Sequence, residues 1–483
     1  MAEASDWRGG AILSIVSMAW LCGVPAWAKY GGGSGTASEP YLIGTAEHLD
    51  ALGTDPNDWD KSFKLAADID LSAYPGNTFH PIGSRWGPGG IHPFSGVFDG
   101  NGHTITGFSY STQETYPVGL FIYVAGDYTK GNKAEVKSLH LVAPRIDAPK
   151  AMRVGALVGS CGGRVVDCSA LDVAVSGYED VGGLIGENDH GMIQDCSCTG
   201  NVAGNNFTGG LVGATKAGII TACRFDGVVK GGIAGGMVGW NEGDIISCGT
   251  TGQVTGSREA GGLVGSNFQG TIVTCWSEAS VQGAGDNTGG LVGELYAGTA
   301  KSCWASGAVE GNRYVGGFVG KSSGTISYCY ATGAVKGDTY IGGFAGTCAG
   351  ATRWSYSTGM VSGATNVGGF AGGGSPYLCY WDIETSGIAQ PGAGWGRTTA
   401  QMMSAATFVG WGVEGQWVLD EGRSYPRLVW EKTPGQLLVD APRTYGGGTG
   451  TPDDPYLIGT PEELSLVACH PEDLAKHFRL AKD

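Results

Sequence analysis

A Gly-Gly-Leu-Val-Gly-like pentapeptide returns nine times between Val154 and Gly372, and its central residues are Leu157, Leu184, Leu211, Met237, Leu263, Leu291, Phe318, Phe344 and Phe370. The interval is always 26 to 28 residues. A fixed period of this length means a solenoid, because a short unit that cannot bury its own apolar face must stack on copies of itself. Within one unit, Val315 to Gly320, Gly324 to Tyr330 and Gly333 to Gly337 form three short apolar runs separated by small residues. Runs of four to six residues punctuated in this way are strands, since a helix needs a 3.6-residue period over ten or more positions. The expected fold is all-β: a single-stranded parallel β-helix, or β-solenoid, with three short strands per coil of about 27 residues. It is taken as right-handed.

Superposing the units gives columns. Val202, Val229, Val254, Val281, Val309, Val335 and Val361 make one, and Val165, Ile193, Ile220, Ile245, Ile272 and Ile326 make a second, broken by Ala300. A third holds Cys168, Cys196, Cys223, Cys248, Cys275, Cys303 and Cys329, with Ser355 in the eighth unit. Stacked strands lie about 4.8 Å apart, so each column is a ladder of like side chains. The isoleucine and cysteine columns are three residues apart, which strict alternation would send to opposite faces; a bend between them is therefore expected. In-register thiols sit too far apart for the roughly 3.5 to 4.5 Å Cβ separation of a disulfide, and no CxxC pairs recur, so the ladder reads as packed thiols. Cys161, Cys198 and Cys348 lie off the column, and their pairing stays open.

The ends depart from the period. Residues 1–28 read as a signal peptide, with an apolar stretch from Ala11 to Val24 and a small-x-small site at Ala26-Trp27-Ala28. Residues 29–110 read as an N-terminal cap with a short helix capped by Thr45, and residues 111–379 as the β-helix. Residues 380–432 lose the repeat and gain Trp381, Trp395, Trp411, Trp417 and Trp430, with a helix expected over Thr399 to Phe408, as if to close the last coil. After a linker at 433–444, Tyr445 to Asp483 repeats Tyr30 to Asp68 without a gap, as the truncated start of a second module.

The pentapeptides at 209–213, 261–265 and 289–293 resemble the GLUG motif of large secreted bacterial proteins, some adhesin-like and some joined to immunoglobulin-A-cleaving metallopeptidases. That resemblance implies an exported surface or matrix protein and supplies no catalytic residue. None of the eight histidines stands in a His-Glu-x-x-His pattern, so zinc peptidase chemistry is not encoded. A formal charge of -16 argues against a nucleic-acid partner held through phosphates. After cleavage of the leader no segment is long and apolar enough to span a membrane, no cofactor motif is present, and the oligomeric state is not encoded.

Two places remain for function. Trp276, Trp304 and Tyr330 follow the ladder cysteine in three successive units, continued irregularly by Tyr356 and Tyr380, so an inward cysteine turns the rings outward. Exposed rings in a stripe would bind an extracellular glycan or a surface protein. Asp167 and Asp195 each precede a ladder cysteine in successive units and would stack about 5 Å apart, near the spacing of a retaining glycosidase. They are the candidates for a carbohydrate-active enzyme; a passive spacer is the remaining alternative. Asp55 to Asp60 has spaced oxygens suggestive of calcium but lacks the rest of such a loop.

Overall fold

The computed structural model describes residues 29–481, apart from 85–91, 127–130, 132–133, 390–391, 440–444 and parts of 462–474. The signal-peptide reading of residues 1–28 lies outside the described residues.

The chain winds into about nine parallel coils, with strands gathered into two large lengthwise sheets and a small antiparallel sheet near the C-terminal end. All nine central residues of the pentapeptide are fully buried. Phe318, Phe344 and Phe370 stack with centroids 4.7 Å apart. The valine column pairs in register from Val202 to Val361. The isoleucine column runs on past Ala300 and Ile326 to Thr352. Full burial of each aliphatic side chain is worth about 1.5 to 3 kcal/mol, so the columns supply most of the cohesion between coils.

One coil contains more, shorter strands than the three apolar runs suggested. Val319–Ser322, Thr325–Ser327, Tyr330–Ala331, Val335–Lys336 and Thr339–Gly342 make one turn. The apolar runs straddle corners instead of lying between them. The expected bend sits one residue before each cysteine, where Asp167, Asp195, Ala222, Ser247, Thr274, Ser302, Tyr328, Trp354 and Leu378 all have φ between 47° and 55°. Left-handed backbone in residues with a Cβ is costly and persists only where the surroundings fix it; here each bend repeats that of the coil below.

The ladder thiols are buried and unbridged, as are Cys161, Cys198 and Cys348. Each of Cys223, Cys248 and Cys275 donates its backbone N–H to the sulfur of the next coil, at 3.3 to 3.4 Å, and Cys329 uses the Ser355 hydroxyl in the same way at 3.1 Å. The ladder resumes at Cys379, whose thiol donates to the Thr352 carbonyl of the coil below. Burial pushes the Cys161 thiol up to about 12 and Cys348 to about 11. Polar side chains also line the interior: Asn188, Asn241 and Asn267 are buried and tie down the turns at Gly191, Gly243 and Gly270.

At the N-terminal end, Thr45 caps the helix Ala46–Thr54, whose Leu49 and Leu52 are buried with Phe63 and Leu65 in the main core. Asp55 caps the short turn Pro56–Asp58, and Lys29 pairs with both Asp55 and Asp58, so these oxygens serve a structural loop. The same local fold recurs at the far end: Tyr41–Ile43 pairs with Phe63 to Leu65, and Tyr456–Ile458 with Phe478–Leu480, in identical register. Tyr30 donates to Asp58 and Tyr445 to Asp473, both at 2.9 Å.

The C-terminal segment departs from expectation. Of its tryptophans only Trp381 enters the main core, where it covers the last coil with Ile383, Ile388 and Ala393 beside it. The rest turns back along the flank. The helix is broken at Met403 into Thr399–Met402 and the turn Ala405–Thr407. The stretch read as linker begins inside the cap, since Gln436–Leu437 pairs with Trp417–Leu419.

Candidate functional site

The aromatic residues beside the cysteine ladder form one regular column. Trp276, Trp304, Tyr330, Tyr356 and Tyr380 are register partners on successive coils, and the first four stack at 5.2 to 6.0 Å. Cysteine faces in and the rings face out, but much of the row is not open. The returning C-terminal segment lays Trp411, Trp417, Phe408 and Leu428 over it. Tyr330 is 1% exposed, and its hydroxyl donates to Glu431 at 3.0 Å. Tyr356 donates to the Pro426 carbonyl, Trp430 to the Ser302 carbonyl and Trp411 to the Leu378 carbonyl. Trp304 packs against this cluster and is half-buried. Tyr330 is therefore corrected from an exposed ring to part of a second core; the segment that covers it lies about a hundred residues along the chain, beyond any local pattern. Trp276 stays half-exposed beyond the cap, with Trp304 against one face and the Arg224 guanidinium 5.2 Å from its centroid.

Asp167 and Asp195 occupy the left-handed bend, exposed. Asp167 accepts from Ser138 and Asp195 from Gln194. Neither has the enclosure that separates a catalytic acid from its base. Arg164 reaches Glu135 and His190 reaches Asp189, so the basic neighbours point elsewhere.

Carboxylates do converge, but beside the glycine corner. The backbone of the third glycine of each pentapeptide lies against the preceding coil: a Cβ on Gly213 would fall on the backbone of Asp180 and Val181. This brings the residue before the corner close to the one after it. Glu187 is fully buried, 2.6 Å from Arg153 Nε and 2.5 Å from Lys216 Nζ, and accepts from Ser160 at 3.1 Å. Burial opposes its charge, yet Lys216 and Arg153 hold its carboxyl below the ordinary range. Asp180 beside it is pushed up to about 7 by burial and by the Glu187 charge. Opposed carboxyls of this kind are an acid and base pattern, but both are more than nine-tenths buried, so no substrate reaches them. A similar pair lies higher, where burial and Glu294 push Glu259 up to about 7.

A recess also opens that the columns did not reveal. About 680 Å³ opens on the outward face of the second sheet, floored by Val175, Val202 and Val228 and edged by Tyr110, Arg145, Asp147, Asn201 and Lys230. Further along the same face are recesses of about 460 and 560 Å³, lined among others by Gln282, Glu310 and Lys336. The hollow follows from small outward residues in the lining, Ala174 and Ala203 in the first recess and Ala308 in the second. The trough lies one strand along the coil from the aromatic row.

The GLUG motif model matches residues 177–203 and 311–336, so the chain carries this repeat. It is similar, at 33% identity over 193 residues, to a protein of Evansella cellulosilytica called a Gly-rich membrane protein; the match covers 33% of this chain and 21% of that one. It is equally similar, at 33% identity over 162 residues, to halomucin of Haloquadratum walsbyi, covering 32% of this chain and 2% of halomucin. The chain thus spans a small part of the length of these relatives. A crystal structure described as an immunoglobulin A1 protease from Bacteroides ovatus aligns over 83% of this chain and 96% of that one, at 16% identity and a TM-score of 0.38. That likeness is too loose to carry an argument.

Proposed function

We propose that this chain is a non-enzymatic solenoid of the cell surface or extracellular matrix, which binds an extended glycan or a neighbouring surface protein along its flank. The observation that carries this reading is the lengthwise trough on the second sheet, with an apolar floor and edges set with Arg145, Asp147, Asn201 and Lys230. A concave apolar site with a few convergent polar groups is the ordinary form of a binding site, and one continued over several coils suits a chain-like ligand. Placement outside the cell is supported by the leader-like residues 1–28 and by relatives called a membrane protein and halomucin. Among the described residues no helix is long and apolar enough to cross a membrane.

The test is a glycan array and a cell-adhesion assay with the parent, Val228→Arg and Ala203→Trp, which fill the recess from its floor and edge. Binding by the parent that both variants lose is the expected outcome. Equal binding by all three would remove the trough from the account. Fractionation of cells expressing the full chain, with and without residues 1–28, tests the placement.

A further inference from the structure

A second aromatic row, unrelated to the cysteine ladder, runs from Phe207 on the second sheet past Trp240 on the first to Phe268 and Tyr296, which follow the strands Val264–Asn267 and Val292–Leu295. Phe207 lies 5.0 Å from Trp240, Trp240 5.4 Å from Phe268, and Phe268 5.1 Å from Tyr296, the last pair within 8° of parallel. Trp240 Nε1 donates to Glu242 at 3.0 Å, which fixes the middle of the stack. The row ends abruptly. On the next coil Lys321 and Ser322 pair with Glu294 and Leu295, so the position above Tyr296 belongs to Ser323, which is small and exposed. Tyr296 is thus stacked on one side only and is 56% exposed. This separates it from Trp276, which has a ring against one face and a guanidinium over the ring.

A fixed polar group precedes the open ring in its own coil and is paired with the next coil. Glu294 lies on the strand Val292–Leu295, two residues before Tyr296, which follows that strand directly; at the equivalent positions of an earlier coil, Trp240 and Glu242 are hydrogen-bonded to each other, so side chains spaced in this way share the outward side. Its carboxylate accepts from Lys321 Nζ at 2.9 Å and from Asn287 Nδ2 at 3.1 Å. Asn287 is 7% exposed, and its carbonyl oxygen has no hydrogen-bond partner. Lys321 keeps 41% of its side chain in solvent, so its ammonium has donors left.

We propose that Tyr296 and the Glu294–Lys321 pair form a saccharide subsite, in which the flat C–H face of one pyranose ring lies on the tyrosine and its hydroxyls bond to the carboxylate and ammonium. A rigid ring with one free face supplies apolar contact at little entropic cost; the ion pair supplies an acceptor and a donor side by side, matching a hydroxyl's two roles. The subsite rests on the binding function argued above but uses a different face from the trough.

The experiment is calorimetric titration of the full chain with linear β-1,4-linked glucose and N-acetylglucosamine tetrasaccharides. Tyr296→Ala should weaken binding about tenfold, the scale of one aromatic stack, and Tyr296→Phe should bind like the parent. Ser323→Trp continues the row onto the free face and should block binding while leaving the fold intact by circular dichroism. Absence of binding by the parent, or unchanged binding by Tyr296→Ala and Ser323→Trp, overturns the subsite. Loss of binding in Val228→Arg alone overturns it while leaving the trough in place; loss in Tyr296→Ala alone supports the subsite and discards the trough for these ligands.

Discussion

Replacing Asp180 by asparagine should raise stability at alkaline pH and change it little near pH 4. The folded carboxyl is pushed from 3.8 to about 7 by burial and by the neighbouring Glu187 charge. Between these values the folded protein keeps a proton that the unfolded chain releases. Its favourable contribution is therefore complete below about pH 4 and is lost as pH rises through 7. Three pH units at 1.36 kcal/mol each give a loss of roughly 4 kcal/mol, appropriate for a side chain so enclosed. The amide of Asp180→Asn occupies the same space without a charge, and so escapes that loss. Urea unfolding of both proteins at half-unit steps from pH 4 to pH 9 measures it. The account predicts a stability difference that grows in favour of the variant from about pH 4 and flattens above pH 7. A flat difference would mean that Asp180 ionises like an exposed carboxylate and that the cluster around Glu187 is wrongly described.

Gly213→Ala places a Cβ on the backbone of the coil below and should cost about 1 to 3 kcal/mol, seen as a lower melting temperature, whereas alanine at Gly44, where a Cβ would meet only the Ala66 methyl at 3.9 Å, adds no clash. The ladder thiols should be inert to Ellman's reagent in the native protein and react once it is unfolded, because they are buried out of the reagent's reach and no bridge ties them. Cys303→Ser should stay within about 1.5 kcal/mol of the parent, since Ser355 already fills a rung. Trp417→Ala removes a fully buried ring lying over Tyr330 and Tyr356 and should cost about 3 to 5 kcal/mol, with new binding of a hydrophobic dye along the uncovered row.

The columns were legible because a period of about 27 residues sets like residues at like places, and the backbone then stacks them. Leu184, Cys248 and Val281 needed only superposition to be read as core. The bend at Thr274 was legible as a mismatch of phase but not as a left-handed residue, since a β-branched side chain gives no hint of it. What escaped depends on contacts between columns. Arg153 and Glu187 meet only after a glycine corner has folded, and Phe207 reaches Trp240 diagonally. The covering of Tyr330 by Trp417 and Glu431 depends on where a non-repeating segment turns, and that is decided by the apolar flank it finds. The trough escaped because it consists of what the outward positions lack: Ala174, Ala203 and Ala308 carry no signal alone, yet together they leave a hollow.

In the proposed function the glycine period builds the scaffold and ligand lies against the outward faces beside it. Hydroxyl-radical footprinting of the full chain, with and without a glycan found on the array, tests this most directly. Met360 in the trough and Tyr296 at the end of the second row are well exposed, at 62% and 56%, and will be oxidised in the free protein. The account predicts that bound glycan protects one or both and leaves Tyr178, 47% exposed outside both sites, unchanged. Protection confined to the segments around Asp167 and Asp195, or none at Met360 and Tyr296 while ligand is bound, would contradict it.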